Sequence, residues 1–300
     1  RDAINQGIVM GPRIRASGQG ITPTGGHGDG GGFRDDIFPH PHSGVCDGVA
    51  ECRKAVRTQV KYGADHIKYV ATGGVLSMTA TGIGQQFTDE EQIALVEAAH
   101  AMGRKVAAHA HGKIGMEAAL RAGVDSIEHG SFLDAETADL FVATGAYLVP
   151  TLIAGHTVER IATEQPDFYV PEVRQKAIEV GPIMKTALRT AYEKGVKIAF
   201  GTDAGVNDHG TNAYEAVLMN EAGMPERAIL ISATINAAEL IGITDITGTI
   251  EVGKDADIIA VGGNPLEDIS TLLQPSYVMV RGNEVDLDVP PVNLFPWPDI

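Results

Sequence analysis

Short apolar runs alternate with amphipathic stretches along the middle of the chain, and residues 104–130 show the repeating unit most clearly. Residues 106–110 form an apolar run with the length of a buried strand. The following MEAALRA has helical spacing that ends at Gly123, and residues 124–128 form a second short run. We predict one βαβ unit here, whose crossover helix returns the chain so that its two strands run parallel.

Histidines stand at the ends of both strands of this unit. His109 closes the first strand, with His111 two residues beyond it, and His129 follows the second strand. A lone histidine is more often a core residue than a ligand, but the carboxyl ends of neighbouring parallel strands lie side by side. Two imidazoles placed there suit a divalent metal such as zinc, which binds imidazole nitrogens at about 2.0–2.1 Å.

The same alternation extends over most of the chain and indicates an α/β fold. Six runs fit parallel strands separated by helical segments: IRAS within residues 11–18, HIKYV, VAAHA, SIEH, YLVP and IAFGT. Even tandem βα units favour a (β/α)8 TIM-like barrel over an open doubly wound sheet. A barrel needs eight strands, so we expect strands 3 to 8 in residues 1–243 and the first two to be missing.

The C-terminal residues 244–300 show a different pattern. GTIEVGKDADIIAVGGN and SYVMVRGNEVD read as short antiparallel strands joined by glycine-containing turns. They cannot supply the two missing barrel strands, so we predict that they form part of a separate small β-sandwich domain.

Helix boundaries and loops are marked by their own signals. An amphipathic helix is predicted over residues 47–62 with Asp47 as its N-cap, and Thr88 with Glu91 forms a capping box for a helix through His100. Residues 156–180 are polar and contain prolines, and we predict an insertion at the active-site face. A glycine-rich loop after residue 18 carries His27 and lacks the spacing of a dinucleotide fingerprint.

Two further features have competing interpretations. His40 and His42 form an H-x-H pair that resembles a metal motif. The prolines beside His40 place the pair in a loop, and we interpret it as a chance match that does not bind metal. Lys68 lies in the middle of the apolar strand HIKYV. A lysine there is costly unless it is paired or chemically altered.

Composition narrows the class of protein. The chain has 300 residues and a formal net charge of −16, which argues against a nucleic-acid partner because phosphate binding needs clustered cations. No apolar run approaches the roughly 18 residues of a membrane span. Cys46 and Cys52 are too few for a disulfide framework, so we expect reduced cysteines and a cytoplasmic protein. We further expect a small-molecule substrate and a homo-oligomer.

Taken in order, the motifs HIKYVATGGV, VAAHAHG, SIEHG, FGTDAG, TINAAELIGI and GTIEVGKDADIIAV resemble the amidohydrolase superfamily over essentially the whole chain, specifically its imidazolonepropionase-like and prolidase-like dipeptidase members. The resemblance implies two divalent metal ions, with zinc expected, and a carbon dioxide-derived carbamate on Lys68 that bridges them. By the same resemblance His109 and His129 bind the second metal. Asp203 binds the first metal and exchanges protons with the attacking hydroxide.

Substrate contacts are expected from three histidines. His111 lies on the same side as His109, and His27 and His209 recur in loops that should face the mouth of the barrel. The implied reaction is hydrolysis of an amide in a dipeptide or N-acyl amino acid by a metal-activated hydroxide. The alternatives are hydrolysis of cyclic amides, lactones or phosphotriesters, and a catalytically silent binding protein.

The sequence departs from the superfamily pattern at its start. Members begin with a strand bearing H-x-H that completes the first metal site, preceded by half of the small β-sandwich, and this sequence has neither. We therefore expect the chain to be a fragment or a processed product. His40 and His42 come after the third strand and cannot replace the missing pair.

Overall fold

The computed structural model describes residues 1–29 and 44–288, and the H-x-H pair at His40 and His42 lies outside them. A five-stranded parallel sheet forms the centre of the molecule, with its strands in chain order across the sheet. Its strands are β1 (Ile67–Val70), β2 (Val106–Ala110), β3 (Ser126–His129), β4 (Tyr147–Val149) and β5 (Lys197–Ile198).

Helices connect successive strands and cover one face of this sheet. Their bounds are α1 (Asp2–Asn5), α2 (Gly48–Lys61), α3 (Asp89–His100), α4 (Lys113–Ala122), α5 (Ala135–Thr144), α6 (Leu152–Glu164), α7 (Pro171–Glu193), α8 (Tyr214–Glu221), α9 (Glu226–Ile231) and α10 (Ala237–Ile241). A π-helical turn, Ser232–Asn236, joins the last two, and a 3₁₀ turn, Ile269–Leu273, follows later. This βα order confirms the α/β class and the predicted βαβ unit.

Alternate strand residues separate into two faces, as the period of two of a strand requires. Ile67, Tyr69, Ala108, Ile127 and Leu148 are almost fully buried in the main core against the helices. On the other face, Tyr147, Val149 and Ala199 form a second, small apolar cluster.

Local capping explains where several helices begin and end. Thr88 and Glu91 make the predicted capping box of α3. Gly123 closes α4 in a left-handed conformation with φ of 93°, as its position after the last apolar residue predicted. Asp47 holds the N-cap position of α2, but its carboxylate accepts hydrogen bonds from Thr24 instead of from its own helix.

The strand predicted within residues 11–18 is absent, and this prediction is wrong. Asp65 holds the segment instead, because its carboxylate accepts a hydrogen bond from the Ala16 amide and its own amide donates to the Ala16 carbonyl. Parallel pairing begins only at Ile21, which forms an isolated bridge with Tyr69 of β1.

Residues 156–180 are mostly helical, which corrects the predicted polar insertion. They contain most of α6 and the first part of α7, and apolar side chains on both helices, including Val158, Ile161 and Val173, are buried. Pro171 begins α7, a position where its missing N–H has no helical partner to lose.

The C-terminal part forms an antiparallel sheet of β6 (Ile258–Val261), β7 (Pro275–Val280) and β8 (Asn283–Glu284), as its pattern predicted. Arg13 joins this sheet to the N-terminal segment through ion pairs with Asp255 at 2.6 Å and Asp257 at 2.5 Å. Neither closure of a barrel nor a second sheet of a sandwich is seen in residues 1–29 and 44–288.

The two cysteines are joined, which corrects the expectation of reduced thiols. Cys46 precedes α2 and Cys52 lies on it, so the turn into the helix brings their Cα atoms to 5.1 Å, within the range that a disulfide spans. Among the described residues, no helix combines the length and the apolar character needed to cross a membrane.

Candidate active site

Three histidines converge where β2 and β3 end. The ring centroids of His109 and His129 are 4.6 Å apart, and the ring of His111 lies 4.8 Å from His109 and 4.7 Å from His129. One nitrogen from each ring falls within 4.8 Å of the others, and all three side chains are buried. The strand-end pairing inferred from the sequence is therefore present, and His111 belongs to the same group.

Hydroxyl groups on neighbouring loops orient two of these rings. His111 Nδ1 hydrogen-bonds Ser131 Oγ at 2.7 Å, and His129 Nδ1 hydrogen-bonds Thr151 Oγ1 at 2.7 Å. A ring that donates its Nδ1–H in this way leaves the lone pair of Nε2 available. Metal-binding imidazoles are commonly held by such a second contact.

The histidines are neutral at physiological pH because burial lowers the pKa of each one. The pKa of His111 falls to about 3, and those of His109 and His129 fall well below the usual value, with neighbouring rings adding to the effect. Neutral imidazole is the form that binds a metal.

The donor set fits the divalent metal that the superfamily resemblance implies. His109 Nε2 is buried and has no hydrogen-bond partner among residues 1–29 and 44–288, and a buried polar atom left unpaired costs about 1–3 kcal/mol. A cation next to His109, His111 and His129 would satisfy that nitrogen, and imidazole suits zinc. The described residues therefore offer a site of appropriate chemistry.

Lys68 and Asp203 face the same space from β1 and from the loop after β5. Burial lowers the pKa of Lys68 to about 8, against the opposing attraction of Asp203. Asp203 remains accessible, and its partial burial raises the pKa of its carboxyl above the usual value, while Lys68 acts in the opposite direction. Lys68 Nζ also contacts the carboxylate of Glu128 on β3, so that the lysine is paired, one of the two states that its place in an apolar strand requires.

Backbone conformations in the left-handed region cluster at this edge of the sheet. His129, Thr151 and Asp203 have φ of 74°, 49° and 52°, values that non-glycine residues rarely adopt. Such conformations cost of order 1–3 kcal/mol each and are concentrated at functional sites. Here the three residues lie at or after the ends of three successive strands, beside the space that His129 and Asp203 line.

A cavity of about 300 Å³ lies over the histidines and has two chemically different walls. One wall carries the titratable groups, His27, Lys68, Asp203 and the three clustered histidines. The rest of the lining, which we call the apolar wall, is mostly hydrophobic, and its larger side chains are Val70, Val75, Leu76, Val158, Val180, Met184 and Val206. The site can therefore hold a small molecule whose polar reacting group faces the histidines and whose side chain is hydrophobic.

The other predicted substrate residues have different positions. His27 lines the cavity with its ring centroid 4.7 Å from that of His109, and the part of the chain that the structure describes offers its buried Nδ1 no hydrogen-bond partner. His209 is exposed and does not line this cavity. Lys113, which follows β2, pairs with Asp134 and Glu136 on the surface.

Sequence reasoning missed three residues that shape the site. Ser131 and Thr151 follow strands β3 and β4, and small hydroxyl residues after strand ends were the signal available for them. Lys176 of α7 reaches across to the loop after β1, and burial lowers its pKa. Its position could not be found because residues 156–180 were interpreted as a polar insertion and not as two helices.

Comparisons with known proteins find similar hydrolases. The chain is 35% identical over 292 residues to ochratoxinase from Aspergillus niger, covering 92% of this chain. It superposes on a crystal structure of a Xaa-Pro dipeptidase with bound methionine in the active site, with a TM-score of 0.91, 50% identity and coverage of 95% of this chain and 71% of that one. A putative prolidase from Bifidobacterium longum gives a TM-score of 0.80 with 32% identity, over 95% of this chain and 69% of that one.

The chain spans 60% of the length of the ochratoxinase sequences that it matches. The sequence pattern that defines the amidohydrolase family matches residues 1–285, nearly the entire chain. This match agrees with the parallel sheet, the histidines at its strand ends and the superposition on the dipeptidase. The chain belongs to the amidohydrolase family.

Proposed function

We propose that the protein hydrolyses the amide bond of a dipeptide or an N-acyl amino acid with an apolar side chain. The observation that carries this proposal is the cavity itself, which is lined both by a cluster of neutral histidines and by several apolar side chains. The names of two similar structures, a Xaa-Pro dipeptidase and a putative prolidase, point to the same substrate class.

Divalent metal, with zinc expected, is proposed to be held by His109, His129, Asp203 and a carboxylated Lys68. When bound, such an ion polarises a carbonyl and lowers the pKa of water. Carboxylation needs a neutral amine, and the pKa of Lys68, lowered to about 8 by burial, makes this form accessible near neutral pH. A carbamate would turn a cation that repels metal into an oxygen ligand.

Asp203 is proposed to accept the proton of the attacking water and to pass it to the leaving amine. Its raised pKa, caused by burial, brings the carboxyl nearer to the pH at which a general base works well. His111, held by Ser131, is proposed to contact the substrate carbonyl, and His27 to contact the other end of the substrate.

The test is metal content and substrate range of the full-length protein. We expect turnover of dipeptides or N-acyl amino acids with apolar side chains, assayed beside lactones and phosphotriesters. The His129→Asn variant should lose both bound metal and activity, whereas His111→Asn should keep most of its metal and lose activity. Cleavage confined to esters would overturn the peptidase proposal, and full metal content in His129→Asn would remove that residue from the ligand set.

A further inference from the structure

The loop after β1 forms one side of the cavity and is closed at its base. The Gly73 amide donates to the Gly84 carbonyl at 2.9 Å, and Thr72 pairs with Gln85 in an antiparallel bridge. Residues 74–77 are the first part of this loop, and we call them the lid segment. Val75 and Leu76 of the lid segment line the cavity, and Leu76 is nevertheless 42% exposed.

A stripe on α7 faces this lid segment across the cavity. Val180 and Met184 line the cavity, and Lys176 lies one turn before them, so that the three residues recur every four positions on one side of the helix. Lys176 Nζ donates to the Gly74 carbonyl at 2.8 Å and to the Ser77 carbonyl. One side chain thus binds both ends of the lid segment.

The partners of Lys176 indicate a positional role. Both are neutral backbone carbonyls, and the described residues place no carboxylate within ion-pairing distance of its ammonium group. Partial burial of a lysine without a partner anion is unfavourable. What Lys176 provides in return is a fixed position of the lid segment, set by its two hydrogen bonds.

The lid segment also contacts the titratable wall of the cavity. A Cβ atom added to Gly74 would lie 2.2–2.6 Å from atoms of the His27 ring, so this ring packs directly on the backbone of the lid segment. Displacement of Gly74 would therefore change both the apolar wall and the support of His27.

We propose that Lys176 is a positioning residue that holds the lid segment against α7, so that Val75 and Leu76 join Val180 and Met184 in one apolar wall that selects hydrophobic substrate side chains. The proposal deepens the proposed function and rests on it for the substrate class. The closed position of the lid segment, in contrast, can be measured without any substrate.

Limited proteolysis tests the closure. Three variants are compared: Lys176→Met, which keeps the length of the side chain, Lys176→Arg, which keeps donors, and Lys185→Met, a control on the same helix whose lysine pairs with Glu221 on the surface. Thermolysin should cut near Leu76 about tenfold faster in Lys176→Met, because lost charge-assisted hydrogen bonds shift the balance towards the open lid. Lys176→Arg should restore part of the protection and Lys185→Met should resemble the wild type. Cleavage of Lys176→Met at the wild-type rate would overturn the proposal.

Kinetics of the full-length protein test the consequence for selectivity. Lys176→Met should raise KM about tenfold for substrates with large apolar side chains, leave KM for glycine-containing analogues within about twofold, and change kcat little. An equal loss for all substrates would contradict a role in selecting the side chain. If the protein cleaves no dipeptide or N-acyl amino acid, the proposed function fails, and the proteolysis result alone decides whether Lys176 holds the lid segment.

Discussion

The hydroxyl of Thr151 forms a hydrogen bond with His129, which lies in the site at the end of β3. Thr151 has a left-handed backbone, and this conformation brings its Oγ1 within 2.7 Å of His129 Nδ1. The contact fixes the ring orientation and holds Nε2 towards the cavity. A residue outside the proposed ligand set therefore controls how well His129 can bind metal.

We expect Thr151→Val to weaken metal binding about 10- to 100-fold, because it removes the hydroxyl that orients His129 while keeping the branched shape. Titration of the metal-free variant with zinc, followed by competition with a chelator, measures the change. Thr163→Val, on the exposed side of α6, is the matched control, since its hydroxyl bonds only the Glu159 carbonyl. Equal zinc affinity in the two variants would show that the Thr151 contact does not support the site.

Sequence alone could place His109 and His129 because parallel strands align their carboxyl ends, which makes strand position a guide to proximity. It could not identify Ser131 or Thr151, because a hydrogen bond to a specific ring nitrogen depends on backbone conformation. The Lys68–Glu128 contact was missed for a similar reason. Both residues lie within short apolar strands, and only the register of three strands brings them together.

At the scale of elements, the start of α6 depends on a carboxylate from another helix. Glu215 of α8 is fully buried and accepts hydrogen bonds from the amides of Leu152 and Ile153 at 2.9 and 2.7 Å. These amides belong to the first turn of α6, where helical N–H groups lack partners. Burial raises the pKa of Glu215 to about 8, although the two hydrogen bonds act in the opposite direction.

A pH dependence of stability follows from this raised pKa. The folded state holds a proton on Glu215 up to about pH 8, whereas the unfolded chain releases it near pH 4.5. The stabilisation is fully present below the unfolded value and is lost as the pH rises through about 8. Glu215→Gln should cost about 1–3 kcal/mol at pH 6, and this penalty should shrink at pH 9. Urea unfolding at both pH values measures it, and an equal penalty at the two would contradict the buried titration.

The base of the loop that carries the lid segment requires glycine at one position. A Cβ atom at Gly73 would lie only 1.7 Å from the Gly82 carbonyl oxygen, a backbone atom that cannot rotate away. We expect Gly73→Ala to force the two sides of the loop apart and to lower the free energy of unfolding by about 1–3 kcal/mol, the usual effect of overpacking. Gly20→Ala is the control, since nothing lies within 4 Å of its added Cβ, and its unfolding midpoint should be unchanged.

Element prediction succeeded where periodicity and capping agreed and failed where one of them was misleading. Helix α3 has a complete capping box and an apolar face, so its start at Asp89 followed from the sequence. Residues 156–180 look polar because only narrow stripes of α6 and α7 are buried. Residues 11–18 alternate like a strand, but Asp65 binds the backbone of Ala16, and no strand of residues 1–29 and 44–288 pairs with them.

At the scale of the whole molecule, the class of fold was predictable because tandem βα units admit few arrangements. The parallel order of five strands and the separate antiparallel sheet agree with that expectation. The ion pairs that connect the two parts were not predictable, because Arg13 is 242 residues away from Asp255 in sequence and carries no distinguishing motif. The chain has a formal net charge of −16, so its carboxylates outnumber the cations that can pair with them. An arginine that pairs with two carboxylates at once therefore matters for stability.

Arg13 should therefore contribute to the stability of the C-terminal sheet. Its side chain is only 19% exposed and binds both Asp255 and Asp257. Burial alone would raise the pKa of Asp257, but hydrogen bonds from Arg13, the Arg281 amide and Thr247 outweigh it and hold the pKa below its usual value. A lowered carboxyl pKa means that the stabilisation is present above the unfolded value of about 3.9 and is lost as the pH falls through the folded value.

We expect Arg13→Met to lower the free energy of unfolding by about 1–3 kcal/mol at pH 7, because it leaves a partly buried carboxylate without its cation while keeping most of the apolar stem. As the pH falls from the unfolded towards the folded pKa of Asp257, the difference from the wild type should shrink, since the unfolded chain takes up a proton that the ion pair excludes from the folded state. Arg15→Met is the control: Arg15 is 43% exposed and lies 3.7 Å from Asp65, so its loss should change stability by less than about 0.5 kcal/mol. Urea unfolding at pH 7 and pH 3 measures both variants. A penalty in Arg13→Met that persists undiminished at pH 3 would show that packing of the stem, and not the ion pairs, ties the N-terminal segment to the antiparallel sheet.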